Sequence, residues 1–557
     1  MLNEYPRPQL VRDSYICLNG EWEYAITKSD VIPSSFDGKI LVPFSPEKVI
    51  SGVNKLITPT DYLYYKFLLD IPKEYDNDII LLHFGAVDQI CDIYINNTFV
   101  FHHEGGFLPF EFNIKPYLKN LKGTLILRVR DLTDSSYLSR GKQRIKHGNI
   151  WYTPQSGIYM PVWLESVPND YIKRLIITPD FDNSCVNIKV DSESNEIECI
   201  FDGNVFKSDE NHNILIKLQD FIAWCPENPV LYEFEIRTKN DKVKSYFAMR
   251  KISIVEDSNG YKRIALNNKP YFMKGVLDQG YYEEGSLTPS SDDDYVNDIK
   301  TMKEMGFNTL RKHIKIESLR WYYHCDKIGM LVWQDFVNGG TKYNIPTISF
   351  PLFTDIHLKD NKYRMFGRMD LKGKNQALKE FADTINLLYN SPSIVLWTIF
   401  NEGWGQFDAQ KALELCKKHD KTRLFDHASG WHDQGISDTK SLHVYFKRVR
   451  MPSSKKTKDR AIILSECGGY TLPIEGHLFE GKKFGYKSIK NEADFLNKYS
   501  EFIEKDIIKN IPLGLCAFIY TQLSDVEEEV NGLITYDRKV IKVNKKSMNE
   551  INGLVKY

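Results

Sequence analysis

Two stretches of this chain each end an apolar run in a glutamate that glycines flank. Residues 393–407 read SIVLWTIFNEGWGQF, so Ile394, Val395, Leu396, Trp397 and Ile399 stop at Asn401-Glu402-Gly403-Trp404-Gly405. Residues 461–469 read AIILSECGG, which puts Glu466 in the same place. A short, continuously apolar run with a Gly-rich stop reads as a strand buried on both faces. In a parallel α/β barrel the carboxyl ends of such strands converge on one face, where reactive groups gather. Either glutamate alone is more often a salt-bridge or helix-capping residue than a reagent. Opposed as a pair, one can protonate a leaving oxygen while the other attacks carbon or activates water, which is what breaking a glycosidic bond requires.

The chain around them supplies the scaffold that this pairing needs. From about Tyr261, strand-like runs (YFMKGVLDQG, NTLRKHI, MLVWQDF, residues 393–407, RLFDHAS, LHVYF, AIILSECGG, LCAFIYTQL) alternate with helical patterns. Such alternation builds βα units, so residues 258–557 are expected to close into a catalytic (β/α)8 TIM barrel. Residues 1–168 carry short alternating runs such as EWEYAIT, LYYKFLLDI and ICDIYINNTFVF, the pattern of a jelly-roll β-sandwich, with Asn96-Asn97 as a hairpin turn. Residues 144–157, RIKHGNIWYTPQSG, form an aromatic and polar loop, expected to be packed surface, with the rim of a neighbouring site as the alternative. Residues 169–257 give about seven closely spaced strands, an immunoglobulin-like β-sandwich read as a spacer.

Bulk properties narrow the field. A chain of 557 residues exceeds a single core. A formal net charge of −1 offers no field for nucleic acid or an acidic membrane, so neither partner is expected. No apolar run approaches the roughly 18 residues that span a bilayer. Nine scattered cysteines without C-x-x-C pairs, and no signal-like apolar stretch after Met1, lead us to expect a cytoplasmic protein with reduced thiols.

The order sandwich, immunoglobulin-like unit, barrel, with NEGWG and then SECGG, resembles glycoside hydrolase family 2, which holds β-galactosidases, β-glucuronidases and β-mannosidases. LNGEWEY, GIYMPVWLE, WCPENPVLYEFEI, YFAMRKISI, LRKH and DVEEEVNGLITYDR extend the resemblance over nearly the whole chain. The resemblance implies a retaining exo-β-glycosidase acting on an oligosaccharide or glycoside, with Glu402 as acid/base and Glu466 as nucleophile. It implies that Asn401 hydrogen-bonds the sugar 2-hydroxyl and that Tyr445 orients Glu466, with His443 on the same strand face. A retaining mechanism sets an expected carboxyl separation of about 5–5.5 Å, where inversion needs more than about 6.5 Å. By family prevalence the expected substrate is a β-galactoside, with a β-glucuronide or β-mannoside as alternatives; a dead barrel that only binds carbohydrate is the contrasting class. A homo-oligomer is left open.

Substrate-reading positions depart from the family pattern. Galactosidases and glucuronidases commonly end the first barrel strand in Asn-Arg-His-Glu, whereas this chain has Leu277-Asp278-Gln279-Gly280. The second strand carries Arg311-Lys312-His313, with the His one residue early, hence on the face of Arg311. Trp333-Gln334-Asp335 is nearer the mannosidase-like branch, and Val530-Asn531-Gly532-Leu533 lacks the lysine with which glucuronidases hold a sugar acid. Asp278, Asp335, Arg311 and His313 are candidate substrate-binding residues, with Arg311 alternatively pairing with Glu402. Trp404 and Trp431 are candidate stacking platforms, because an indole face suits the apolar face of a pyranose. His427, His432 and His443 lack metal-ligand spacing, so no metal or cofactor is expected to be required, with Mg²⁺ or Na⁺ at the rim left open. The run 455–458 is read as a solvated loop.

Overall fold

The computed structural model describes residues 2–557 except 355–356, 454–456, 458 and 482, so most of the run 455–458 lies outside the described residues. The first sandwich packs a four-stranded antiparallel sheet on a six-stranded one, and Trp22, Tyr65, Phe84, Ile93 and Leu127 share its core. Asn96 and Asn97 adopt φ of 50° and 64°, the left-handed pair a tight hairpin demands. The second sandwich sets a three-stranded sheet against a four-stranded one over Ile177, Ile188, Ile214 and Phe247.

Eight parallel strands form the barrel: β1 (Met273–Asp278), β2 (Thr309–Lys312), β3 (Leu331–Asp335), β4 (Ile394–Thr398), β5 (Leu424–Asp426), β6 (Thr439–Val444), β7 (Ala461–Gly468) and β8 (Leu515–Thr521). Strand order runs β5-β4-β3-β2-β1-β8-β7-β6, leaving one seam between β5 and β6. Polar groups bridge that seam: the Phe425 amide donates to Asp438 at 2.8 Å, and Ser441 hydrogen-bonds Asp426. Inward residues such as Met273, Leu331, Trp333, Ile463, Ala517 and Ile519 form one apolar cluster, while Val276, Val332, Ile462 and Leu464 pack outward with the helices. Ile252, Ile264 and Trp224 join the inner cluster and stopper the barrel at its amino end. Chemistry is left to the carboxyl end, where inward positions turn polar: Arg311 on β2, Asp335 on β3 and His443 on β6.

Simple alternation would misplace Glu466. Ala461 and Ile463 face in and Ile462 and Leu464 face out, which predicts an outward residue 466. The β6–β7 register instead jumps from Leu442↔Leu464 to His443↔Glu466, so Ser465 is a bulge residue. A bulge beside an active site re-aims the next side chain, and here it turns Glu466 inward. The cost is a disrupted ladder at Ser465, whose carbonyl accepts the Arg311 guanidinium at 2.9 Å instead.

Candidate active site

Glu402 lies four residues beyond Thr398, the last ladder-paired residue of β4. Its amide donates to the Ser429 carbonyl at 2.9 Å, which anchors it to the segment after β5. Glu402 adopts φ of 49°, a left-handed conformation that costs a non-glycine residue on the order of 1–3 kcal/mol. Gly403 follows at φ of 73°, and a Cβ there would come within 2.6 Å of His432. The glycines beside Glu402 thus serve a turn that drives the carboxylate into the barrel mouth.

Glu402 and Glu466 meet across His443. Its Nδ1 lies 2.9 Å from Glu402 Oε1 and 3.5 Å from Glu466 Oε2. One donor atom from each of the three residues falls within 4.8 Å of the others. Tyr445 donates its hydroxyl to Glu466 Oε2 at 2.5 Å, and Arg311 Nη1 reaches Oε1 at 3.1 Å. Among the described residues Glu402 has one carboxyl partner, the imidazole, while Glu466 is held at both oxygens.

The two environments drive the carboxyls apart. Burial raises the Glu402 pKa, aided by the charge of Glu466 and opposed by the His443 hydrogen bond. Burial pushes Glu466 the same way, yet the charges of His443, Arg311 and His313 and the Tyr445 hydroxyl outweigh it and hold that carboxyl below its ordinary value. One protonated and one ionised carboxyl is the division that acid/base and nucleophile need. Activity that depends on both should be bell-shaped in pH. It falls on the acid side as Glu466 takes a proton and on the alkaline side as Glu402 loses one. His443→Gln removes a group that lowers both carboxyls, so both limbs of the kcat/KM profile should move to higher pH.

Arg311, wholly buried, organises the floor. It grips Asp335 through Nε at 3.0 Å and Nη2 at 2.9 Å, and gives Nη2 to Asn401 Oδ1 at 2.8 Å. Of the two readings of Arg311 from sequence, substrate contact or an ion pair with Glu402, the ion pair forms with Glu466 instead, and the Glu402 carboxyl is met by His443. With Oδ1 so used, Asn401 Nδ2 is buried and has no hydrogen-bond partner among the described residues. Asp335 also takes His313 Nδ1 at 2.8 Å, so Arg311 and His313 share a face, as their spacing requires. Trp404 is 3% exposed, edge-on to His313 at 6.2 Å, and Trp431 is 4% exposed, edge-on to His443 at 5.3 Å.

Asp278 is not brought to the carboxylate pair. It is the outward neighbour of Leu277 at the end of β1 and binds Lys312 at 2.7 Å; Lys312 also meets Glu317 at 3.2 Å. That buried ion cluster lies between strand and helix, so Asp278 is a structural residue. His427 contacts Ser437, and His432 contacts the Thr347 carbonyl, so neither joins His443. Among the described residues, Glu402, His443 and Glu466 are the one set of potential ligands close enough together to hold an ion.

For the loop at 144–157 the alternative weighed in sequence, a site rim, fits better than plain packed surface: Trp151 packs on Trp404 at 4.9 Å, and the Arg144 guanidinium covers Trp151 at 3.5 Å. Two further contributors escaped the sequence reading. Just before the loop, Lys142 lies close enough for its charge to lower the pKa of Glu402. Tyr486, between β7 and β8, stacks on Tyr445 at 4.1 Å. The aromatic density of 144–157 was a usable signal; Tyr486, in a loop without periodicity, gave none.

Comparisons with known proteins agree with this architecture. Residues 258–553 match the model of the glycosyl hydrolases family 2 TIM barrel domain, and residues 22–168 that of the family 2 sugar binding domain. A β-glucuronidase of Streptococcus agalactiae is 24% identical over 84% of this chain and 84% of its own length. A β-galactosidase of Priestia megaterium is 23% identical over 66% of this chain, which spans only 37% of that protein. The solved β-D-glucuronidase of Dictyoglomus thermophilum overlays with a TM-score of 0.76 at 19% identity, covering 100% of this chain and 99% of that one. A family 2 β-galacturonidase of Eisenbergiella tayi bound to galacturonate overlays at 0.73 with 16% identity, covering 100% of both chains. The chain belongs to glycoside hydrolase family 2.

Proposed function

We propose that this family 2 hydrolase is a retaining exo-β-glycosidase in which Glu402 is the acid/base and Glu466 the nucleophile. The observation that carries the reading is the pair itself: carboxyl oxygens within 4.8 Å, on the retaining side of the roughly 6.5 Å that inversion needs, with opposite pKa shifts. Glu466, ionised and aimed by Tyr445 and Arg311, attacks the anomeric carbon while protonated Glu402 gives its proton to the leaving oxygen. A glycosyl-enzyme ester on Glu466 results. Glu402, now a carboxylate, takes a proton from water, which displaces Glu466 with the original anomeric configuration restored. Asn401 Nδ2 is free to hold the 2-hydroxyl.

A β-galactoside is the proposed substrate, with β-glucuronide as the second reading because the Streptococcus agalactiae β-glucuronidase matches over 84% of both chains, where the Priestia megaterium β-galactosidase is matched over 37% of its length. No metal enters the scheme: Arg311 pairs with Glu466, and the His443 imidazole hydrogen-bonds Glu402. Nine unpaired cysteines support a reducing, cytoplasmic setting, and no described helix is long and apolar enough to cross a membrane. A panel of aryl β-glycosides, with the product anomer followed by NMR, tests the proposal. We expect turnover with a β-anomer as first product; an α-anomer, or no turnover on any member, sinks it.

A further inference from the structure

We propose that the cavity beside the β5–β6 seam is the leaving-group subsite of this enzyme and that it takes an anionic group, a carboxylate or sulfate carried by the departing saccharide. The inference rests on the glycosidase reading above and names the class of leaving group.

The cavity has a volume of about 1320 Å³ and is walled by the loop between β5 and β6, by β6 with the segment after it, and by Pro351, Leu352 and Thr354. Small-molecule sites commonly measure about 300–1,000 Å³, so an extended leaving group has room here. Gly430, Trp431 and His443 belong to its wall. Gly430 lies so close to the imidazole that a Cβ there would fall 2.7 Å from His443 Nδ1, the atom that meets Glu402 at 2.9 Å. The Trp431 ring stands 5.3 Å from the same imidazole. The cavity thus adjoins, through these residues, the carboxyl proposed to protonate the departing oxygen.

This wall offers donors. Trp431 is 4% exposed, and its Nε1 is buried with no hydrogen-bond partner among the described residues. An indole N–H only donates, so an acceptor is what answers it. In the same wall stand the cations Lys440, Lys447, Arg448, Arg450 and Arg460 against the carboxylates of Asp433, Asp438 and Asp459.

The carboxylates are already met. Asp433 pairs with Lys440 and with Arg460, each at 2.8 Å. Asp438 pairs with Lys417 at 3.1 Å and Asp459 with Lys262 at 3.8 Å, two cations from outside the wall. Arg448 is held by Asp506 at 2.7 Å. Lys447 and Arg450 are exposed and have no ion-pair or hydrogen-bond partner among the described residues. The wall therefore carries positive charge in surplus, and a cleft lined by one sign of charge concentrates ligands of the other. A carboxylate or sulfate accepts hydrogen bonds from these donors and brings the charge they lack; a neutral hydroxyl does only the first.

The test uses the full chain and thioglycosides, whose sulfur link resists hydrolysis. Para-carboxyphenyl, para-sulfophenyl and neutral para-carbamoylphenyl thio-β-glycosides are compared by calorimetry, each as the galactoside and as the glucuronide. Within a glycon that binds, an acid should bind at least about threefold tighter than the amide at about 20 mM salt, and the preference should fade toward about 1 M, where screening is nearly complete. The double variant Lys447→Ala/Arg450→Ala should erase the preference; both side chains are exposed, so the fold should hold. Trp431→Phe keeps an aromatic ring, removes the donor and should weaken the acids more than the amide, because a charged acceptor makes the stronger bond. The inference is overturned if the amide binds as tightly as both acids, if none of the ligands binds, or if the folded double variant keeps the wild-type ratio. The expected preference without turnover of any aryl O-glycoside would leave the anion site standing and remove the glycosidase reading.

Discussion

Glu466→Ala is expected to lose at least about 10⁴-fold in kcat, on the scale of removing the nucleophile from other covalent enzymes. The variant should still fold, because Ser465 rather than Glu466 is the bulge residue and Arg311 keeps Asp335 as a bidentate partner. Deletion of the carboxylate opens room beside the anomeric carbon, on the side from which Glu466 would attack. Azide or formate entering there should restore turnover of an activated aryl glycoside, with Glu402 still able to protonate the leaving group. The restored product should be the α-glycosyl azide, formed in a single displacement. Recovery of a β-product from the rescued variant would mean that another group is the nucleophile.

Glu402→Ala should behave differently, and the difference assigns the roles. General acid catalysis is worth about 10²–10⁴-fold, and the need for it scales with the basicity of the leaving group. Hydrolysis of an alkyl glycoside or disaccharide should fall by about that range. A dinitrophenyl glycoside, whose leaving group needs no proton, should still glycosylate Glu466 at close to the wild-type rate and then stall, because no base activates water. A burst of dinitrophenol followed by a slow steady state is the expected trace. Azide should relieve the stall and yield the β-azide, opposite to the product of Glu466→Ala. The alkaline limb of the pH profile should vanish with Glu402. Equal losses on alkyl and dinitrophenyl substrates would remove Glu402 from the acid/base role.

The residues that carry these predictions were legible in sequence to unequal degrees. Glu402 could be found because its strand is short, apolar and stopped by glycines, signals that are local. Its neighbour Asn401 came with it. Glu466 was found by the same local rule, but its inward direction was not implied by that rule: counting residues along β7 points it at the helices, and the Ser465 bulge reverses this. Asp278 failed for the opposite reason. It stands at a strand end, where reactive groups gather, and alternation carries it outward to Lys312.

The sequence by itself determined the architecture and singled out the two candidate reagents. Apolar periodicity is set by neighbours two to four residues apart, so the two sandwiches, the βα alternation and the paired Gly-flanked glutamates could be read directly. What only the tertiary structure decided was which charges meet. Arg311 chose Glu466 over Glu402, His443 came between the two carboxyls, and a lysine of the first domain reached a glutamate 387 positions further along the chain. Electrostatic energy depends on distance in space and on burial, and sequence separation constrains neither. The opposite pKa shifts of Glu402 and Glu466, and with them the proposed division of labour, therefore belong to the folded chain.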